Sequence, residues 1–190
     1  MCNNTYTKNK VSKPAIFLDR DGVLTVEKGY SISSIKEMAV FPYAADCVGA
    51  MKRMGYLTIV ITNQSAVAKG LFTEAELLEM NDKLLLETGV DAIYYCPHHP
   101  HGKVLEYTKV CNCRKPKTGM IEKALRDFDI DISHSFMVGD RAIDILLGEK
   151  VGVKTVLLNS GYGEENLEQE CKPDYVMNNL IEFTEKLKFL

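Results

Sequence analysis

Asp19 and Asp21 stand two positions apart, with Arg20 between them and Gly22 directly after. Two carboxylates so close repel unless a cation or a proton lies between them. The pair therefore offers a metal site or an acid/base team, and its plainer alternative is a strand end that caps its own turn. Thr62-Asn63-Gln64-Ser65 gathers hydroxyls, amides and backbone N–H groups, the donor set a phosphate needs, or else forms a simple polar turn. Cys96, His98, Cys111 and Cys113 make a Cys₃His set. Four protein ligands leave no open position for water, so a zinc ion held there is structural, not catalytic. His99 and His101 are alternative imidazoles for the same site. Arg114 and Lys115 follow the last thiol at once, two cations placed to hold a phosphate or to form a solvated surface pair. Gly139-Asp140-Arg141, with Asp144 beyond it, supplies a third carboxylate. Converging on Asp19 and Asp21, it makes the oxygen-rich environment that Mg²⁺ prefers.

Each cluster sits at the end of a short apolar run. Ala15–Leu18, Tyr56–Ile61, Ala92–Tyr95 and Ser135–Val138 read as buried strands, with Val153–Leu158 a fifth and Asp174–Met177 a short edge strand. Between them, Ala44–Met54 reads as a helix closed by Gly55. Thr73-Glu74-Ala75-Glu76 is a capping box opening a helix to about Thr88. Thr118–Phe128, Ala142–Lys150 and Leu180–Leu187 complete the helices. Alternation of this kind predicts right-handed βαβ units, hence an α/β fold with a Rossmann-like parallel sheet and helices on both faces. In such sheets the working groups lie beyond the carboxyl ends of the strands, where all four clusters fall. Val26–Pro42, containing Glu27-Lys28-Gly29-Tyr30, is placed to form a flap over the carboxylates or an ordinary connection. The gaps from Asp21 to Thr62 and from Thr62 to Lys115 are taken up by core elements, leaving no room for a separate cap domain. A zinc-stapled loop is then the main cover of the site.

The 190 residues suit a single domain over 14–190 behind a flexible polar leader, 1–13. A hydrophobic fraction of 46% with 26% charged residues is ordinary for a soluble globular protein. Net charge is −3 without a basic block, which argues against a nucleic-acid partner. No apolar run approaches the ~20 residues of a membrane span, and the leader lacks the apolar core of an export signal. A cytoplasmic location follows, and with it a metal-binding reading of the clustered cysteines; Cys2, Cys47 and Cys171 are scattered.

DRDGVLT, ITNQS, CPHHP…CNCRKP and MVGDRAID, in this order and spacing, resemble the haloacid dehalogenase superfamily of phosphatases over residues 14 to 163. More narrowly they resemble its heptose-bisphosphate phosphatase branch, whose close relatives are the histidinol-phosphate phosphatases. The 12 residues between His98 and Cys111 favour the heptose branch, because the histidinol-phosphate enzymes carry a shorter loop. The resemblance implies that Asp19 is the nucleophile, forming an aspartyl-phosphate, and that Asp21 is the general acid and then base. It implies Mg²⁺ on Asp19, Asp140 and the backbone carbonyl of Asp21. Thr62 and Lys115 would hold the phosphoryl oxygens, aided by Arg114. Glu27, Lys28, Gly29, Tyr30, Asn63, Gln64, Ser65 and Arg141 would line the pocket for a small phosphorylated sugar, in a monomeric enzyme. Zinc would sit on Cys96, His98, Cys111 and Cys113. The chain departs from the pattern at Thr25, Ala66 and Arg141, where asparagine, glycine and lysine are expected. A phospho-receiver domain and a zinc-dependent binding module are the competing classes. A receiver, however, carries its phosphate-accepting Asp on a different strand from its metal-binding acidic pair.

Overall fold

The computed structural model describes residues 12–27, 35–163 and 171–190. Six strands appear in it: β1 (Lys13–Leu18), β2 (Leu57–Asn63), β3 (Ala92–Cys96), β4 (Ile130–Gly139), β5 (Lys154–Leu158) and β6 (Tyr175–Met177). The helices are α1 (Ala44–Arg53), α2 (Ala66–Lys69), α3 (Glu74–Thr88), α4 (Gly119–Asp127), α5 (Ala142–Val151) and α6 (Leu180–Lys186). All strands pair in parallel in the order β3-β2-β1-β4-β5-β6. The chain builds outward from β1 to β3, then returns to place β4 on the other side of β1. At that reversal the connections diverge to opposite sides, and a crevice opens beyond the carboxyl ends of β1 and β4. Among the described residues every named strand belongs to this one sheet, and no helix is long and apolar enough to cross a membrane.

The period-2 geometry of a strand explains why β1 is apolar throughout instead of alternating. Ile16 and Leu18 pack with Val48 and Met51 of α1, Leu77, Met80 and Leu84 of α3, and Phe183 of α6. Ala15 and Phe17 face the opposite layer, with Met120, Ile121 and Ala124 of α4 and Leu147 of α5. Both faces are covered, and the strand that carries Asp19 is fixed from both sides. The capping box is present: Thr73 Oγ1 accepts from Glu76 N at 3.2 Å, and Thr73 N donates to Glu76 Oε2 at 2.7 Å.

Several boundaries differ from expectation. β1 begins at Lys13, inside the stretch read as leader, while residues 1–11 lie outside the described residues. β2 and β3 run on through Asn63 and Cys96, so Thr62, Asn63 and Cys96 are strand residues. β4 starts at Ile130, well before Ser135, and its register against β1 shifts between Pro14 and Ile16. There Ser135 Oγ accepts from Ala15 N at 2.8 Å and donates to Asp131 O, supplying partners the irregular ladder lacks. The polar stretch Asp131–Ser135 carries no strand periodicity, which hides this from sequence. The short helix α2 and a 3-10 turn at Leu105–Tyr107 are additions.

Candidate active site

Asp19 follows β1, and Asp140 follows β4. Asp144, in the first turn of α5, joins them: the three residues bring one carboxylate oxygen each within 4.8 Å of one another, all buried. The buried Lys115 ammonium stands 2.8 Å from Asp19 Oδ1 and 2.6 Å from Asp144 Oδ1. Asp19 Oδ1 also accepts from the Arg20 backbone N–H at 2.7 Å, so Oδ2 keeps the lone pairs to spare. Glycines let the backbone close around Asp140. A Cβ on Gly22, whose φ is +82°, would lie 2.3 Å from Asp140 Oδ2, and one on Gly161 would lie 2.0 Å from it. The backbone N–H of Tyr162 donates to that oxygen at 3.0 Å. Asp140 Oδ1, by contrast, is buried without a hydrogen-bond partner.

Three carboxylates face one ammonium here. Like charges at this separation repel by about 3–4 kcal/mol per pair at an effective dielectric constant of about 20. Burial, then Asp19 and Asp144, push the Asp140 carboxyl up to about 7. Burial likewise pushes Asp144 up to about 6 against the pull of Lys115. For Lys115, burial alone would lower the ammonium, but Asp144 and Asp19 outweigh it and raise it. A net excess of two negative charges, hard oxygen donors and an orphaned carboxylate oxygen together fit a divalent cation such as Mg²⁺.

Asp21 is held differently. Its Oδ1 accepts from Arg20 Nε at 3.0 Å and Thr25 Oγ1 at 2.9 Å, and its Oδ2 from Arg20 Nη2 at 3.0 Å and Gln64 Nε2 at 2.9 Å. Burial would raise this carboxyl, but the Arg20 guanidinium and these hydrogen bonds outweigh it and hold it below the usual carboxylate range. Gln64 also donates to Thr62 Oγ1 at 2.9 Å. Asn63 grips the Lys115 backbone from both sides, its Oδ1 accepting from Lys115 N at 3.0 Å and its Nδ2 donating to Lys115 O at 3.2 Å. The side chains of Asn63 and Gln64, predicted to face substrate, thus engage the protein's own groups. Ser65 stands at the start of α2. Arg141 reaches Glu27 Oε2 at 3.3 Å and lies 3.8 Å over the Tyr162 ring. Lys28, Gly29 and Tyr30 lie outside the described residues.

In the knuckle, Cys113 Sγ lies 3.2 Å from both Cys96 Sγ and Cys111 Sγ, and 3.3 Å from His98 Nδ1. Cys96 Sγ lies 3.5 Å from Cys111 Sγ. Tetrahedral zinc with Zn–S bonds of about 2.3 Å separates its thiolates by about 3.8 Å, so these four atoms need open only slightly to accept it. Burial, then Cys113, push the Cys96 thiol well above its ordinary range, whereas at Cys111 burial is outweighed by hydrogen bonds from Cys113 and Cys96, which lower it. His98 is the imidazole in the cluster, whereas His99 Nδ1 accepts from the His101 backbone. Arg114 Nη1 donates to His98 O at 3.3 Å, bracing the knuckle.

Two residues at the centre of this geometry carry no task of their own in the sequence reading. Asp144, one helical turn past Asp140, pairs with Lys115. Arg20, only 1% exposed, clamps Asp21. The signal for Arg20 was its place between two carboxylates at the end of a buried strand.

Known proteins resemble this chain in sequence and fold. The HAD-hydrolase-like family matches residues 112–183. The D-glycero-beta-D-manno-heptose-1,7-bisphosphate 7-phosphatase of Haemophilus ducreyi is 39% identical over 178 residues, covering 90% of this chain and 97% of that protein. The protein of that name from Escherichia coli (strain K12) is 40% identical over 182 residues, covering 93% and 95%. Among solved structures, a D,D-heptose 1,7-bisphosphate phosphatase from B. bronchiseptica, complexed with magnesium and phosphate, superposes with a TM-score of 0.79. It shares 31% identity, over 93% of this chain and 98% of that one.

Proposed function

This chain belongs to the haloacid dehalogenase-like hydrolase family, and on that premise we propose that it removes the 7-phosphate of D-glycero-D-manno-heptose 1,7-bisphosphate through an aspartyl-phosphate. The observation that carries the reading is the pairing of two unlike carboxylates beyond β1. Asp19 has one oxygen pinned by Lys115 and the Arg20 N–H and the other left over. Asp21, two residues on, is linked through Gln64 to Thr62.

In the first step an Asp19 oxygen attacks phosphorus, and the bond from phosphorus to the C7 oxygen breaks. The electron pair stays on that oxygen, which takes a proton from Asp21. In the second step Asp21, now a carboxylate, takes a proton from water. The water oxygen bonds to phosphorus as the Asp19–phosphorus bond breaks, releasing phosphate and restoring both side chains. Lys115 and the Thr62 hydroxyl hold the phosphoryl oxygens, where negative charge accumulates. Arg114 aids them. Arg141, with Glu27 and the neighbouring Lys28, Gly29 and Tyr30, takes the sugar and its second phosphate; Asn63 and Ser65 shape the floor. Mg²⁺ would be held by Asp19, Asp140 and the Asp21 carbonyl, and when bound it supplies positive charge that lets an anionic phosphate approach an anionic nucleophile. Zn²⁺ would be held by Cys96, His98, Cys111 and Cys113 in a structural role. Thiols kept for a metal suit the reducing cytoplasm. The proposed site calls on no group from a second copy, and we assign a monomer whose single domain starts at β1, one residue before the expected 14–190.

The test is colorimetric phosphate release from both anomers of the heptose bisphosphate and from histidinol phosphate, with and without Mg²⁺. The expected result is Mg²⁺-dependent release, fastest from a heptose bisphosphate. Preference for histidinol phosphate would move the enzyme to the neighbouring branch, and absence of release from all three would overturn the reading.

A further inference from the structure

Asp21 is the group that must give up a proton, yet its carboxylate is saturated. An ionised carboxylate offers about four lone-pair positions, and four donors fill them: Nε and Nη2 of Arg20, Oγ1 of Thr25 and Nε2 of Gln64. Arg20 Nη2 is shared with Gln64 Oε1, and Thr25 Oγ1 also lies 3.2 Å from Arg20 O, so these donors keep their contacts within one local turn and its clamp. The Gln64 residue is 4% exposed, and its carboxamide spends every polar atom on a different partner. Oε1 accepts from Arg20 Nη2 at 2.8 Å, and Nε2 donates to Asp21 Oδ2 and to Thr62 Oγ1, each at 2.9 Å. Its backbone N–H donates to Cys96 O at 2.8 Å, fixing its base to the end of β3. Reversing the amide would set oxygen against the Asp21 carboxylate and nitrogen against a guanidinium donor, so the chemistry admits one orientation.

That orientation has two consequences. Thr62 Oγ1 is already an acceptor from Gln64, so its own hydrogen stays available for a phosphoryl oxygen. Asp21, beyond the end of β1, and Thr62, in the neighbouring β2, are tied to the two hydrogens of a single planar group. We infer that Gln64 is a positioning residue for the proton donor, holding Asp21 in register with Thr62 so that leaving oxygen and phosphoryl oxygens of one ester meet their partners together. This inference rests on the phosphatase reading above. Asp21 must first take up a proton, one of these hydrogen bonds yielding as the anionic ester enters and disfavours a second negative charge. In the chemical step that proton passes to the leaving oxygen as the phosphorus–oxygen bond breaks. An alkoxide needs that proton, whereas a nitrophenolate departs without it. A defect in placing Asp21 therefore falls on alkyl esters and spares aryl ones.

The experiment compares kcat/KM for the heptose bisphosphate and for p-nitrophenyl phosphate in wild type, Gln64→Met and Gln64→Glu. The ratio of the two values is the readout, because a general loss of fold or of phosphoryl binding lowers both and leaves the ratio unchanged. Gln64→Met removes both donors at similar volume and should lower the alkyl value by about 10²-fold, within the range of general acid help, and the aryl value by less than about tenfold. Gln64→Glu keeps the shape but sets a second carboxylate against Asp21 Oδ2, so the ratio should fall there too; it decides the matter if the Met variant does not fold. A ratio within about threefold of wild type in the folded variants overturns the inference, whether both activities fall together or neither falls. Wild-type enzyme inert toward both esters would instead sink the phosphatase reading itself.

Discussion

The crevice and the knuckle each gather four or five chemistry-bearing residues, but by opposite means. Asp19, Thr62, Lys115 and Asp140 come from far apart in the chain, and parallel pairing of β1 with β2 and β4 brings most of them together. The ladder runs into the site itself: Asp19 N donates to Val138 O at 2.9 Å. In the knuckle only Cys96 lies in a strand; His98, Cys111 and Cys113 stand on irregular backbone around a single 3-10 turn. Hydrogen bonds of the sheet hold the crevice whether or not its cation is bound. The knuckle is tied down by scattered contacts instead of a ladder, such as Lys103 N and Val104 N on Ala68 O and Tyr107 Oη on Glu74, so its order should depend more on its metal. The sheet can therefore carry crowded charge at a working site, while a loop with scattered contacts gains more of its order from a metal.

The sharpest way to break this comparison is Asp19→Asn. If the crevice is held by the sheet, its geometry survives while its chemistry goes. The amide is a poor nucleophile, but its oxygen still accepts from Lys115 and from the Arg20 N–H. Multiple-turnover phosphate release should fall below detection, a loss above about 10³-fold when a nucleophile of covalent catalysis is removed. The same variant has one fewer charge among crowded carboxylates, and Lys115 keeps Asp144. Its thermal midpoint without Mg²⁺ should therefore be no lower than that of wild type. Turnover near wild type would refute the covalent mechanism, and a collapsed fold would show that the crevice, too, depends on its charges.

A smaller effect is expected from the knuckle. Cys113 directly precedes Arg114 and Lys115, so losing zinc should displace both, and a shift of about 1 Å can cost about 10²-fold in rate. The two cations are not equally exposed to that loss. Asn63 holds the Lys115 backbone from β2, whereas Arg114 leans on His98 O within the knuckle. Cys113→Ser, assayed for zinc content and activity on one folded preparation with Mg²⁺ restored, should lower kcat/KM by up to about 10²-fold, mainly through KM. Unchanged kcat/KM in a zinc-free folded enzyme would reduce zinc to a remote staple.

The difference between the two regions also explains what could be read from the sequence. The knuckle is local, so spacing picked out its three thiols, while the imidazole stayed open among His98, His99 and His101 until the structure brought His98 to them. The fold was legible because a strand buried on both faces must be apolar throughout, as Ala15–Leu18 is. The strand ends were legible as positions, but hydrogen-bond partners across the sheet were not. Nothing in the local sequence says that Gln64 turns toward Asp21 and Thr62, or that Asn63 reaches a backbone beyond the knuckle. Asp144 looked like one more acidic residue until α5 turned it onto Lys115. β4 was undercut because its first half is polar and irregular, satisfied by Ser135 instead of by a repeating pattern.

The mildest prediction tests the charge crowding that sets the crevice apart, using Mg²⁺ binding instead of turnover. Burial, Asp19 and Asp144 push the Asp140 carboxyl from an ordinary 3.8 up to about 7. A raised acid binds more protons folded than unfolded, so between about pH 4 and about pH 7 stability declines as pH rises and then levels off. Mg²⁺ needs the carboxylate and must displace that proton below about pH 7, at a cost of roughly tenfold in affinity per pH unit. Calorimetric Mg²⁺ affinity should thus rise roughly 30-fold from about pH 5.5 to about pH 8, with most of the change below about pH 7. The thermal shift produced by a fixed Mg²⁺ concentration should grow over the same interval. Asp140→Asn, lacking the proton in question, should bind more weakly at high pH and lose most of the pH dependence. A wild-type affinity that is flat across this range would mean that Asp140 is already ionised in the folded protein, with the Tyr162 N–H and Arg141 absorbing the charge before any cation arrives.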